Sequence, residues 1–309
     1  MTFSRLLSAL IFAALATACS TPPTIPNRQA TAAAPSIAVP PSGATQVWPA
    51  NSPKILAESA ILIDARSGKV LFQKNADARR PVASTQKLLT ALIIARAGNL
   101  DEIVTIAEPE TRAEPTKLNL KVTERYPRRQ LLAAMMVKSM NDACAALARD
   151  HSGSESAFAK KMNVTAVAIG ANSSHFVNSH GLPAEQYSTA RDMARVAFYA
   201  YRNPVLRELM IQRECQFRHN NGRVSVLEAT NFLLFRSPAF TGMKTGFTNA
   251  AGRCLISSGR FKGREVILVQ LGSRTKHIFN DAARTMAWAP PRQLFFASDE
   301  NTKLGGAIF

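Results

Sequence analysis

The chain has 309 residues, 46% of them hydrophobic, and carries 38 Lys and Arg against 21 Asp and Glu, a formal charge of +17. So large a positive balance bears on association, through attraction to an anionic surface such as a cell envelope, and not on fold. It does not describe a nucleic-acid binder, because the basic residues are dispersed and aromatic residues make up only 7% of the chain.

The first elements concern export. Arg5, an apolar core from Leu6 to Leu15 and Ala16-Thr17-Ala18 ahead of Cys19 predict a secretory signal over 1–18, too short for a comfortable membrane span. Two processing outcomes compete. Ala16-x-Ala18 suits ordinary signal cleavage. Cys19 after small residues suits bacterial lipoprotein processing and is the preferred lipidation candidate, although Ala16 stands where a leucine is more usual. Residues 19–53 are rich in Pro, Ala, Thr and Ser, cannot bury a core, and predict a disordered, extended tether. The segment 54–290 is then the folded domain, followed by a short tail over 291–309.

Within that domain, Ala60–Asp64 and Lys69–Gln73 flank Ala65-Arg66-Ser67-Gly68, a hairpin signal. Ser84-Thr85-Gln86-Lys87 opens an apolar run to Ala95, which reads as a mostly buried helix with Ser84 as its N-cap. On a helix Lys87 lies one turn from Ser84 on the same face, where its amine reaches the serine oxygen. Taken alone, the pair reads first as a cap with a surface lysine. Ser139-Met140-Asn141 forms a short polar break between two apolar helical segments, and such a break leaves buried polar groups in need of partners. A helix cap is the competing reading. Lys244-Thr245-Gly246 lies at the start of a strand-like run, paired through a basic, turn-rich loop (Gly259–Arg264) with Glu265–Leu271. Gly246 is expected to let a substrate backbone approach the strand edge. Cys144, Cys215 and Cys254 are an odd set in the domain; Cys144 and Cys254 read as buried small hydrophobes in preference to a disulfide. The five histidines show no tight ligand spacing, so neither a metal site nor another cofactor is implied.

In this order the strings supply a nucleophilic hydroxyl, an amine to activate it, a second hydroxyl and amide for proton transfer, and a basic strand edge for an acyl substrate. With Pro81-Val82-Ala83 ahead of Ser84, Asn178-Ser179-His180-Gly181-Leu182-Pro183, Ser188–Ala194 and Lys244–Gly252, the chain resembles the low-molecular-weight penicillin-binding proteins, the serine D-alanyl-D-alanine carboxypeptidases and endopeptidases. The resemblance runs from about Glu58 to Trp288. It implies an α+β fold: an antiparallel sheet flanked by helices, plus a mainly helical lobe, as in β-lactamases and transpeptidases. Strands at both ends of the segment with helices between agree with that class.

The implied chemistry is attack of Ser84 on a D-Ala-D-Ala peptide of peptidoglycan, with Lys87 as base, its pKa depressed by desolvation and the neighbouring Lys244. Ser139 relays a proton to the leaving amine and Asn141 positions Lys87 and the substrate amide. Lys244 and Thr245 bind the substrate carboxylate, Gly246 borders it, and the N–H groups of Ser84 and Phe247 form the oxyanion hole. Peptidoglycan stem peptides and β-lactams are the implied partners, and the periplasm or cell envelope the implied location. Two departures stand out. Met140 replaces the usual glycine, where it either narrows the site or points away. The carboxylate-binding arginine expected well after Lys244-Thr245-Gly246 has only Arg274 as a candidate, which leaves endopeptidase activity open. A class A β-lactamase needs a Glu-x-x-Leu-Asn loop that the sequence lacks; an esterase and a non-catalytic envelope-binding lipoprotein are the remaining rivals.

Overall fold

The computed structural model describes residues 51–274 and 277–290. The expected signal segment, Cys19, the tether up to residue 50 and the tail 291–309 lie outside the described residues. In chain order come β1 (Ser59–Asp64), β2 (Val70–Lys74), a 3-10 turn (Ala83–Gln86), α1 (Lys87–Ala97), β3 (Ile103–Thr105) and α2 (Glu108–Thr111). Next are β4 (Arg125–Pro127), α3 (Arg128–Lys138), α4 (Asn141–Ser152), α5 (Glu155–Ala168), α6 (Ala190–Arg202), α7 (Pro204–Met210), β5 (Glu214–Arg218) and β6 (Val224–Glu228). Then follow α8 (Leu233–Arg236), β7 (Phe240–Thr248), β8 (Gly252–Phe261), β9 (Arg264–Ser273) and α9 (Ile278–Trp288).

The main sheet has the order β2-β1-β9-β8-β7, antiparallel throughout. Its inner strands are apolar on both faces because helices cover both. Ile61, Ile63, Ile267, Val269 and Leu271 pack into the core that holds α1 and α6. Their neighbours Ala60, Leu62, Val266 and Leu268 face the other way, onto Ile278, Ala282 and Met286 of α9. The alternation follows from the period of two along a strand. This is the α+β architecture expected from the sequence.

Helix α1 is buried from Lys87 to Ile94, so it is a central rod with no solvent stripe, as its unbroken apolar run predicts. Around it α3, α4 and α5 make the helical lobe. Two local expectations need correction. The Gly259–Arg264 segment is not a loop: Gly259, Arg260 and Phe261 finish β8, Arg264 starts β9, and only Lys262-Gly263 turns between them, both with positive φ. Such a two-residue turn with both centres left-handed matches the twist of the strands. Nor is Ser84 an N-cap, since it lies inside the 3-10 turn that precedes α1.

Candidate active site

The turn Ala83–Gln86 sets Ser84 against the end of the sheet. Thr85 Oγ1 donates to Val82 O at 2.6 Å, closing the turn on itself. Gln86 Nε2 donates to Asn178 O at 2.6 Å, tying it to the segment 178–186. Two glycines let other segments approach the turn closely. At Gly181, which has φ +87°, a Cβ would stand 2.1 Å from Ala83 O. At Gly246 on β7 a Cβ would stand 2.8 Å from Ser84 N and 3.0 Å from Thr85 N. The approach that requires glycine at 246 is therefore that of the Ser84 turn, a constraint that precedes any substrate.

Lys87 lies at the first position of α1 and is fully buried. Its Nζ donates to Ser84 Oγ at 2.9 Å, Asn141 Oδ1 at 2.6 Å and His180 O at 2.6 Å. Three acceptors for three N–H bonds is the arrangement of an ammonium. Burial nevertheless pulls its pKa down to about 8. Loss of one proton leaves a lone pair facing Ser84 Oγ, so the same contact, reversed, carries a proton from serine to lysine. Burial is what lowers Lys87, against a smaller upward pull from Cys144 and Glu155; the charge of Lys244, to which the sequence had pointed, is not the cause. Lys244, fully buried as well, is held well below the ordinary lysine range by burial and then by the charge on Lys87.

Helix α3 ends at Ser139, whose φ of 69° is left-handed, and α4 starts at Asn141. Asn141 N–H donates to Thr116 O at 2.7 Å and its Nδ2 to Glu114 O at 2.8 Å. These bonds fix the amide so that only Oδ1 is offered to Lys87, and they answer the polar break seen in the sequence. Met140 between them is buried in the core and does not line the cleft.

Ser84, Ser139, Thr245, Gly246 and Phe247 line one cleft of about 440 Å³. Lys87 and Asn141 stand directly behind Ser84, and Lys244 is buried beneath the wall, its Nζ donating to Thr245 O at 3.1 Å. All eight expected site residues of the domain therefore gather at one place. Sequence reasoning missed Thr230, which accepts from Thr245 Oγ1 at 2.6 Å, and Arg253, which lines the cleft with its guanidinium 5.3 Å from the centre of the Phe247 ring. Arg253 is the strand partner of Phe247, a pairing that only the register reveals. Arg274 does not line the cleft; it donates to Asn249 O at 3.3 Å and stands 3.7 Å from Glu58. Cys144, Cys215 and Cys254 are free thiols, with Cys144 and Cys254 buried. Among the described residues no group of three or more His, Cys, Asp or Glu gathers to hold a metal.

Residues 46–275 match a family described as D-alanyl-D-alanine carboxypeptidase. The D-alanyl-D-alanine endopeptidase of Escherichia coli K12 is 32% identical over 246 residues, covering 77% of this chain and 79% of that protein. The D-alanyl-D-alanine carboxypeptidase DacA of the same organism is 37% identical over 235 residues, 72% of this chain and 58% of its own length. Among solved structures, the carboxypeptidase DacD of Francisella tularensis superimposes with a TM-score of 0.72 at 30% identity, over 78% of this chain and 71% of that one. The Streptomyces K15 DD-transpeptidase gives 0.71 at 29% identity, over 76% and 97%. With the motif residues assembled around one serine, the chain belongs to the D-alanyl-D-alanine carboxypeptidase family of serine DD-peptidases, a family of hydrolases.

Proposed function

We propose that the protein cleaves D-Ala-D-Ala peptides of peptidoglycan through an acyl-Ser84 intermediate and that β-lactams acylate the same serine. The observation that carries this reading is the buried Lys87 amine, at 2.9 Å from Ser84 Oγ and titrating at about 8. Neutral Lys87 takes the Ser84 proton as Oγ bonds to the carbonyl carbon of the penultimate D-Ala. N–H groups of Ser84 and Phe247 stabilise the oxyanion. The C–N bond then breaks as a proton passes through Ser139 to the leaving amine, and water releases the acyl group by the reverse proton path. Asn141 holds Lys87 against Ser84, and Lys244, Thr245 and Gly246 form the strand edge that receives the substrate.

Mass spectrometry after incubation with penicillin tests it. A single persistent adduct on Ser84, absent from Ser84→Ala, is expected. Labelling of Ser84→Ala overturns the nucleophile, hydrolysed penicillin without an adduct points to a β-lactamase, and intact penicillin without an adduct points to a non-catalytic binder.

A second output, endopeptidase cleavage of cross-links, is favoured by the placement of Arg274 away from the cleft and by the apolar rim of Phe232, Phe247, Ile278 and Phe279. Relatives in Escherichia coli and Pseudomonas aeruginosa carry the name endopeptidase. Comparing release of D-Ala from a pentapeptide with cleavage of a cross-linked dimer separates the two. We further place the protein in the periplasm or cell envelope, a reading that rests on the sequence signal and on Cys19 as a lipid anchor. Mass analysis of the mature N-terminus, for a lipidated Cys19, decides the anchoring.

A further inference from the structure

Helix α5 begins with Glu155 one position after its N-cap, Ser154, whose Oγ accepts from Ala157 N at 3.1 Å. A carboxylate in the first turn suits the helix dipole, but Glu155 is also aimed at a partner outside the helix. Its Oε1 accepts the Ser179 N–H at 2.5 Å, while Oε2 is shut off from solvent with no hydrogen-bond partner among the described residues. The carbonyl of the following residue, His180, is the one that receives Lys87 Nζ at 2.6 Å and Ser84 Oγ at 3.3 Å.

The segment Ser179-His180 is thus held from several directions. Thr90 Oγ1, on the same helix as Lys87, donates to Ser179 O at 2.7 Å, and Cys144 on α4 donates to it at 3.4 Å. Glu155 supplies the acceptor on the opposite side of that residue. The His180 ring adds no ionic grip. Burial and the charge of Lys87 pull its pKa down to about 3, and its Nδ1 accepts from Leu182 N at 3.3 Å, so the proton sits on Nε2, 3.8 Å from Glu155 Oε1. Glu155 and His180 also line a second cavity of about 570 Å³, with no lining residue in common with the cleft. The side chain of Glu155 is 35% exposed, so it is not a packing element of the core.

We propose that Glu155 is a positioning residue for acylation: by fixing the Ser179 N–H it orients the His180 carbonyl, which in turn holds Lys87 and Ser84 in reactive register. The proposal rests on the Ser84–Lys87 reading above. A displacement of about 1 Å at such a carbonyl is enough to cost about a hundredfold in rate.

The test measures the acylation rate constant and the preceding non-covalent affinity separately, by stopped flow with a fluorescent penicillin on the full-length chain. Glu155→Gln keeps the acceptor and its reach, so acylation within about threefold of wild type is expected. Glu155→Asp keeps the charge but withdraws the acceptor by one methylene, so a fall of about 10- to 100-fold is expected, with affinity changed less than twofold. Glu155→Ala should match Glu155→Asp. Should the alanine variant fail to fold, the Gln and Asp pair carries the comparison alone. Glu155→Asp acylating like wild type overturns the proposal, as does Glu155→Gln falling as far as Glu155→Asp, which would make charge and not reach the operative property. Ser84→Ala runs alongside: its labelling would defeat the nucleophile assignment, whereas the Glu155 outcomes bear only on positioning.

Discussion

Replacing Asn141 by Asp tests the base directly. The side chain is nearly isosteric and its Oδ1 lies 2.6 Å from Lys87 Nζ, but the substitution puts a full negative charge beside the amine. With charge centres about 4 Å apart and an effective dielectric near 20, the attraction is about 4 kcal/mol. At about 1.4 kcal/mol per pH unit, the ammonium form persists about three units further up the pH scale. The sign follows from the role: an anion favours protonated Lys87, and only neutral Lys87 can take the Ser84 proton. Wild-type acylation should climb with pH and level off above about 8, where Lys87 titrates. Asn141→Asp should be about a thousandfold slower at pH 7 and gain about tenfold per pH unit through pH 10. The assay is the second-order acylation rate with a fluorescent penicillin from pH 6 to 10.5, with thermal unfolding as a check on the lost Nδ2 bond to Glu114 O. A variant that is slow but flat with pH would refute the reasoning, since the loss would then be geometric. Undiminished acylation at pH 7 would remove Lys87 as the base.

Gly246→Ala forces a Cβ to within 2.8 Å of Ser84 N; a loss of about 1–3 kcal/mol in urea unfolding and about a tenfold fall in acylation are expected, and wild-type values in both would refute the close contact. Burial raises the thiol pKa values of Cys144 and Cys254 to about 11, so at pH 8 both should resist iodoacetamide in the native protein and react after unfolding in guanidinium. Rapid native alkylation at Cys144, read by peptide mapping, would contradict the packing between α1, α4 and Ser179.

Much of the site was legible because its chemistry is local. Ser84 and Lys87 are one turn apart, and Ser139 and Asn141 flank a break in an apolar pattern, so residue type and spacing carry the signal. The α+β class followed from strands at both ends and helices between. What local pattern could not carry is whatever depends on partners distant in sequence. The 3-10 turn at Ser84 packs against Gly181 and Gly246, both distant in sequence. Burial, the main cause of the shift at Lys87, is a tertiary property. Thr230, Arg253 and Glu155 enter the neighbourhood through strand register and helix packing, with no motif around them. Gln86, whose Nε2 donates to Asn178 O, likewise finds its partner far along the chain.

The pairing of β1 with β9 has a consequence for how the protein comes into being. The serine-bearing turn is made early, but β7, which packs against it, and β8 and β9, which join β7 to β1, are the last strands made. Helix pairs of the lobe meet over short stretches of chain and can form during synthesis, whereas the sheet closes across almost the entire domain. Loop closure over such a span adds little to the thermodynamic cost but slows the search. A nascent chain with α1 complete and β7 unmade thus has its serine without the strand that packs against it. Reactivity is a property of the finished polypeptide, acquired in one late step.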